Sequence, residues 1–444
     1  MKILTAALVM LAVNASCLHA ADTAAAREQT RQTLLYGIDS QVLDVIQVLK
    51  AGHDSGFTRD LADILAGKRS AAVREAVLEL FLEQKTKEGE GTAREILSGW
   101  QDAPPALVVA DVRYLASTGS NGLADALAPL VDATDGTVAT AAIEGLGKTG
   151  NAASVALLIA RLNSQDFPDA RKSPVILALG ELKDARAADA LMSIAKSQDE
   201  EKVRRMYAAD SLGKIGDPRA LPVLQAMFEE QDALVRLYAA SALARFSLDS
   251  VFPILIQALR DENWKVREQS AKSLSRQLSS SQSATAVPIL TYKAESDPVS
   301  QVRLASIQAL GEIGGDGVIS SLVAIYAGPN HPLESREAAL SVVTRKSPSS
   351  SLDAVRKVIK DEWNSYDKRT LESTAKVLST VNAPELRDIY VRFLESTDAV
   401  VRSYACRGIA ENHFSDLRER LKLISEKDPN PATRKEAELS LAKL

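Results

Sequence analysis

Gly145-Leu146-Gly147-Lys148-Thr149-Gly150 is the part of the chain whose spacing comes closest to phosphate chemistry, since it matches Gly-x-Gly-x-x-Gly and half of a phosphate loop. Such loops work when a strand feeds them, because backbone N–H groups and a helix N-terminus then face the phosphate. Here the six residues close a helical pattern, and Ala142 stands where the phosphate loop needs its first glycine. The glycines are therefore read as packing residues. The four histidines, His19, His53, His331 and His413, are too far apart for metal-ligand spacing. No Gly-x-Ser-x-Gly elbow occurs to present a nucleophilic serine. Cys406 shares its column with Ala209, Ala240, Ala271 and Ile307, which predicts a buried, inert thiol. The expectation is a chain that is not an enzyme, with no catalytic residue, no cofactor and no metal.

What does recur is structural. From Leu115-Ala116 to Leu441-Ala442, a branched aliphatic residue precedes a small one at intervals of 31 to 36 residues. Leu146-Gly147, Leu179-Gly180, Leu212-Gly213, Leu310-Gly311 and Ile409-Ala410 are among these pairs. A ruler of this length belongs to stacked two-helix units, because each unit buries its apolar face only against its neighbours. In the best unit, Val203, Met206, Ala209, Leu212 and Ile215 are spaced as one buried helical face. Gly216-Asp217-Pro218 ends that helix, and a second helix follows with Leu221, Val223, Leu224 and Met227 turned inward.

The ankyrin and tetratricopeptide signatures are absent. The unit resembles the HEAT repeat, in the short form known from phycobilisome-lyase-like proteins. The resemblance rests on VRRMYAADSLGKIGD (203–217), VRLYAASALARF (235–246), VRLASIQALGEIGG (302–315) and VRSYACRGIAEN (401–412). It covers about residues 105–444, with weaker units back to about residue 59. It implies an all-α fold, a right-handed α-α superhelix of the HEAT/armadillo type with about 11–12 helical hairpins. It also implies that the Val-Arg helix is the second of its unit and lines a concave face. Residues 21–58 are expected to form an N-terminal helical cap and 59–444 the solenoid. Within it, the polar stretch 83–91 reads as a mobile loop, Ser279 to Thr285 as a lengthened turn, and 432–444 as a capping helix.

Two sets of columns carry charge. Lys172, Arg205, Arg236, Arg267, Arg303, Arg336, Arg402 and Arg434 each stand seven residues before the ruler residue, with Asp261, Asp297 and Asp428 in the turns. The resemblance gives these a ladder role, bridging neighbouring units. Positions two before and two after the ruler residue form a second row on one helical face, four residues apart. That row holds ten basic and five acidic residues among 22, on an otherwise acidic chain. Asp210, Lys214, Arg245, Lys272, Arg276, Arg345, Lys376 and Arg407 belong to it, and Tyr207, Tyr238 and Tyr404 share an equivalent place nearby. By the family geometry this row is the groove. Its expected partner is a protein, through an acidic segment.

Export is read from the first 20 residues. Lys2, the apolar stretch Ile3 to Val13 and Leu18-His19-Ala20 form a cleavable leader. Lipidation at Cys17, giving a lipid-anchored peripheral protein, is the alternative. Cleavage removes one lysine and no acid, so the formal charge moves from −5 to −6. A mildly acidic chain argues against nucleic acid, and no later apolar run reaches membrane-spanning length. The reading is a periplasmic scaffold of the bacterial envelope. A lyase-type or chaperone-like role on a chromoprotein is the alternative that the resemblance brings.

Overall fold

Aspartate and asparagine start many of the motif-bearing helices. Asp135, Asp232, Asn263, Asp398 and Asn430 each accept hydrogen bonds from first-turn N–H groups, which otherwise have no intrahelical partner. Left-handed residues end several of them, as at Gly119 (φ 67°) and Gly216 (φ 72°). The computed structural model describes residues 24–444, so the leader at 1–20 with Cys17 lies outside the described residues. Those residues form 26 α-helices and no strand.

The chain divides into two compact units, Met1–Leu224 and Gln225–Leu444. In the first, the motif-bearing helices are α1 (Ala71–Gln84), α2 (Pro105–Thr118), α3 (Gly136–Thr149), α4 (Asp169–Leu182) and α5 (Lys202–Ile215). In the second they are α6 (Ala233–Leu243), α7 (Trp264–Ser273), α8 (Ser300–Ile313), α9 (Leu333–Lys346), α10 (Arg369–Leu378), α11 (Ala399–Glu411) and α12 (Pro431–Leu441). Within each unit these helices pack side by side in chain order. Several also pack broadly on the helix that precedes them, as α5 does on Ala188–Lys196 and α8 on Ser280–Ser296. The Val-Arg helix is thus the second of its hairpin, and the fold is an all-α stack of HEAT-type hairpins.

Small residues after the ruler position let these helices approach closely. A Cβ on Gly147 would lie 2.9 Å from Ala178 Cα, and one on Gly180 would lie 2.8 Å from Ser211 Cα. These distances leave no room for a methyl group. Of the motif's glycines, Gly147 and Gly150 therefore serve the α3–α4 seam, while Gly145 lets α3 approach Val112 of α2 and Leu127. Ser211 Oγ donates to Ile176 O at 2.9 Å and ties the next seam, α4 to α5.

Four expectations are corrected. Val203, expected on the buried face, is 44 % exposed, whereas Val235, Val266, Val302 and Val401 are buried. One extra arginine after Val203 shifts its register, and Arg204 is buried where other repeats bury valine. The 83–91 segment is a loop only over residues 85–89: Glu83 and Gln84 finish α1, and Glu90 opens Glu90–Ser98. The turn between them is fastened, because Gly89 N–H donates to Tyr114 Oη at 3.1 Å. Ser279 to Thr285 is no lengthened turn, since Ser279 caps the helix Ser280–Ser296 and Gln282 completes a reciprocal cap. The last helix begins at Pro431, one residue before the expected start, and Glu438 on it is exposed.

Candidate functional site

None of the 22 row positions is buried, whereas the ruler residues between them are buried from Leu115 through Ile409. This follows from helical spacing: positions four apart share one face, and the ruler residue between them points away from it. Tyr207, Tyr238 and Tyr404 are half-buried at the side of this face. In each unit the motif-bearing helices therefore present a polar, solvent-facing surface.

Most row cations are already engaged. In the first unit, Lys214 Nζ lies 2.8 Å from Asp210 on its own helix and 2.8 Å from Glu181 on α4. Burial works against its charge, but the two carboxylates outweigh it and its pKa is raised. In the second unit, Lys272 pairs with Glu268 at 2.7 Å and Lys376 with Glu337 at 2.6 Å. Arg407 donates to both oxygens of Glu436 at 3.1 Å and lies 5.5 Å from the Tyr404 ring centre. These exposed pairs are each worth about 0–1 kcal/mol. Arg245 is exposed in the turn that follows α6.

Arg276 differs from the rest of the row. It donates to the carbonyls of Ala244 (2.6 Å), Phe246 (3.2 Å) and Ser273 (2.9 Å). Its guanidinium satisfies the carbonyls that follow α6, where a helix end carries partial negative charge. Burial lowers its pKa. Arg276 is thus a helix-end clasp that belongs to the scaffold.

Arg345 is the opposite case. It is exposed, and no hydrogen-bond or ion-pair partner engages its side chain among the described residues. It borders a cleft of about 320 Å³ between α9 and α10, lined also by the row residues Ser341 and Thr380 and by Val377, Val381 and Asn382. A free guanidinium beside a small cleft with apolar and amide walls can take a carboxylate in bidentate geometry. Arg113 and Lys148 are likewise exposed and without a partner in the first unit.

The charged ladder runs behind this face. In the second unit Arg236 grips Asp261 (2.8 and 3.0 Å), Arg267 grips Asp297 (2.8 and 2.8 Å) and Arg402 grips Asp428 (2.7 and 2.8 Å). Each arginine also donates Nη1 to two carbonyls of the turn before its own helix, as Arg267 does to Asp261 and Glu262. Burial pushes the Asp297 pKa up, but Arg267, the Val299 N–H and Lys293 together bring it below the usual carboxylate range. For Asp428 the hydrogen bonds from Arg402 are the leading cause of a lowered pKa.

The family is decided by a match of the family model described as "Spirochaete HEAT repeat protein" to residues 34–439. The chain belongs to this HEAT-repeat family. Among solved structures, this HEAT-repeat chain is similar to Kap95p, from the structure in which Kap95p binding induces the switch loops of RanGDP to adopt the GTP-bound conformation. The match has 13% identity and a TM-score of 0.53, over 95% of this chain and 60% of that one. Importin beta in an ammonium sulfate condition matches at 13% identity and TM-score 0.53, over 98% of this chain and 69% of that one. The HEAT-repeat chain thus spans about 60% of the length of Kap95p, and at this identity the likeness speaks to the fold alone. No curated protein sequence matches it.

Other residues singled out in the sequence take structural places. Cys406 is fully buried, and burial pushes its thiol up to about 12. His53 and His413 sit in left-handed turns (φ 50° and 52°). Among the described residues, no group of three or more His, Cys, Asp or Glu side chains could hold a metal ion. No described helix is long and apolar enough to cross a membrane. Sequence reading missed Asp111, a buried carboxyl on α2. The signal was available, because the matching position elsewhere holds residues such as Ala142, Ala208, Ser270 and Thr374.

Proposed function

We propose that this protein is a non-catalytic HEAT-repeat scaffold that binds protein partners on the solvent-facing row of its motif-bearing helices. The observation that carries this reading is Arg345, an unpaired guanidinium beside a cleft shared with Ser341 and Thr380. The partner chemistry it fits is an acidic segment, with a carboxylate on Arg345 and short side chains in the cleft. Tyr404, which Arg407 overlies, supplies an aromatic contact further along the row in the same unit. The scaffold works in the bacterial envelope after removal of residues 1–20.

Crosslinking of the tagged chain in its native envelope, followed by identification of what is attached, tests this reading. Arg345→Glu should weaken the recovered partner at least tenfold while leaving the circular dichroism unchanged. An unaltered partner set with Arg345→Glu, Arg245→Glu and Lys272→Glu combined would sink it. Arg276 is left out of that set, because it clasps the end of α6. Mass spectrometry of the mature N-terminus separates cleavage before Ala21 from acylation at Cys17. A bilin titration with a spectral change would favour the lyase-type alternative.

A further inference from the structure

Asp111 stands four residues before the ruler residue Leu115, on α2. Where this column carries a polar side chain elsewhere, it is a hydroxyl with a carbonyl to donate to. Ser270 Oγ donates to Leu255 O at 2.5 Å, Ser306 Oγ to Val302 O at 2.8 Å and Thr374 Oγ1 to Thr370 O at 2.8 Å. Asp111 is fully buried, and neither of its oxygens has a hydrogen-bond partner. An ionised carboxylate is costly in such a place, while a protonated one carries an O–H donor as those hydroxyls do.

The elements packed on α2 are α1, the helix Glu90–Ser98, the short helix Leu123–Leu127, whose Asp125 is exposed, and α3. On Glu90–Ser98, the Glu90 carboxylate is engaged by Ser120 and Arg94. On α3, Glu144 and Lys148 are exposed. On α2 itself, Arg113 is exposed and the Tyr114 hydroxyl accepts from Gly89 N–H. Arg74 of α1 is the charged group whose field acts on Asp111. Arg74 follows a buried valine as Arg267 does, and it donates Nε to Leu65 O at 3.0 Å. No carboxylate grips its guanidinium among the described residues.

We propose that Arg74 and Asp111 form a proton-controlled latch across the α1–α2 seam, in which loss of the Asp111 proton draws the Arg74 guanidinium onto the carboxylate. The closed latch would be a rung like Arg267–Asp297, made with an acid from the helix instead of from the turn. Burial raises the Asp111 carboxyl to about 8, against the pull of Arg74, so the open form holds at neutral pH. Ala110 and Arg113 flank Asp111 on α2 and line a cleft of about 480 Å³ with Lys50, Glu79 and Glu83. Drawing α1 and α2 together would narrow this cleft.

Amide hydrogen exchange of the full chain, followed by mass spectrometry from about pH 6 to about pH 9.5 and corrected for the intrinsic rate, tests the latch. Protection of 105–118 should fall at least threefold as pH rises toward about 8, because opening exposes the carboxyl to water, and should level off above it as the latch closes. Asp111→Asn should abolish the fall. Arg74→Gln, which leaves the carboxylate without a cation, should carry the fall on to higher pH, and levelling at the same pH as the unmodified chain overturns the latch. A flat profile in the unmodified chain overturns the proposal, as does the same transition in Asp111→Asn. Where Asp111→Asn fails to fold, the carboxyl carbon of Asp111 in the unmodified chain decides: titration near the ordinary carboxylate value overturns the latch.

Discussion

Arg267 and Arg74 begin alike and end differently. Each follows a valine buried in its helix, Val266 and Val73. Arg267 then grips Asp297 across the repeat boundary and two carbonyls of its own turn. Arg74 holds one carbonyl, and the acid its field reaches is buried and unbonded. In the first unit the ladder column also carries Val108 and Ala139, so its rungs lapse next to Asp111. The contrast separates two jobs of the repeat consensus. Aliphatic and small residues make the stack, and both units have them; the arginine column fastens it, and the first unit has it only in part.

The largest effect should come from breaking a closed rung. Arg267→Met leaves Asp297 buried without its main partner and should cost about 3–5 kcal/mol, read by chemical denaturation with exchange kinetics resolving the second unit. A change well under 1 kcal/mol would erase the distinction between the units. Gly180→Ala tests what the units share, and overpacking of the α4–α5 seam should cost about 1–3 kcal/mol. Asp111→Ala matches the column elsewhere and should stabilise the first unit by about 1–3 kcal/mol at neutral pH, by removing an unsatisfied buried polar group. Lys376→Ala, which removes an exposed partner of Glu337, should change stability by less than about 1 kcal/mol, and added salt should shrink the difference.

The pH responses should run in opposite directions. Asp297 and Asp428 have lowered pKa values, so their contribution is present above the ordinary carboxylate range and is lost as pH falls through the lowered values. Asp111 has a raised pKa, so the first unit is favoured fully below the ordinary range and loses that margin as pH rises toward about 8. Exchange measured segment by segment should show acid loosening the second unit first.

The fold was legible because its cause is periodic. A ruler of buried aliphatics and a column of arginines repeat at nearly the same spacing, and helical geometry turns each into a face. The row of charged positions was legible for the same reason, as four-residue spacing alone places Asp210 and Lys214 on one side of α5. What those side chains hold was not. Arg276 reaches carbonyls some thirty residues earlier in the chain, and Lys376 reaches Glu337 on the preceding motif-bearing helix. Long flexible side chains choose partners by distance in space, and local spacing does not encode that. Val203 shows another limit: one added arginine displaced the register, and the motif remained recognisable while its valine turned to solvent.

Each closed rung is anchored at both ends, to the turn of its own repeat and to an acid in the next. A load pulling along the second unit would pass from repeat to repeat through these fastenings, with little of it shared at a distance. Under an optical trap that unit should give way in steps, and the contour length freed per step should return the 31- to 36-residue period written in the chain.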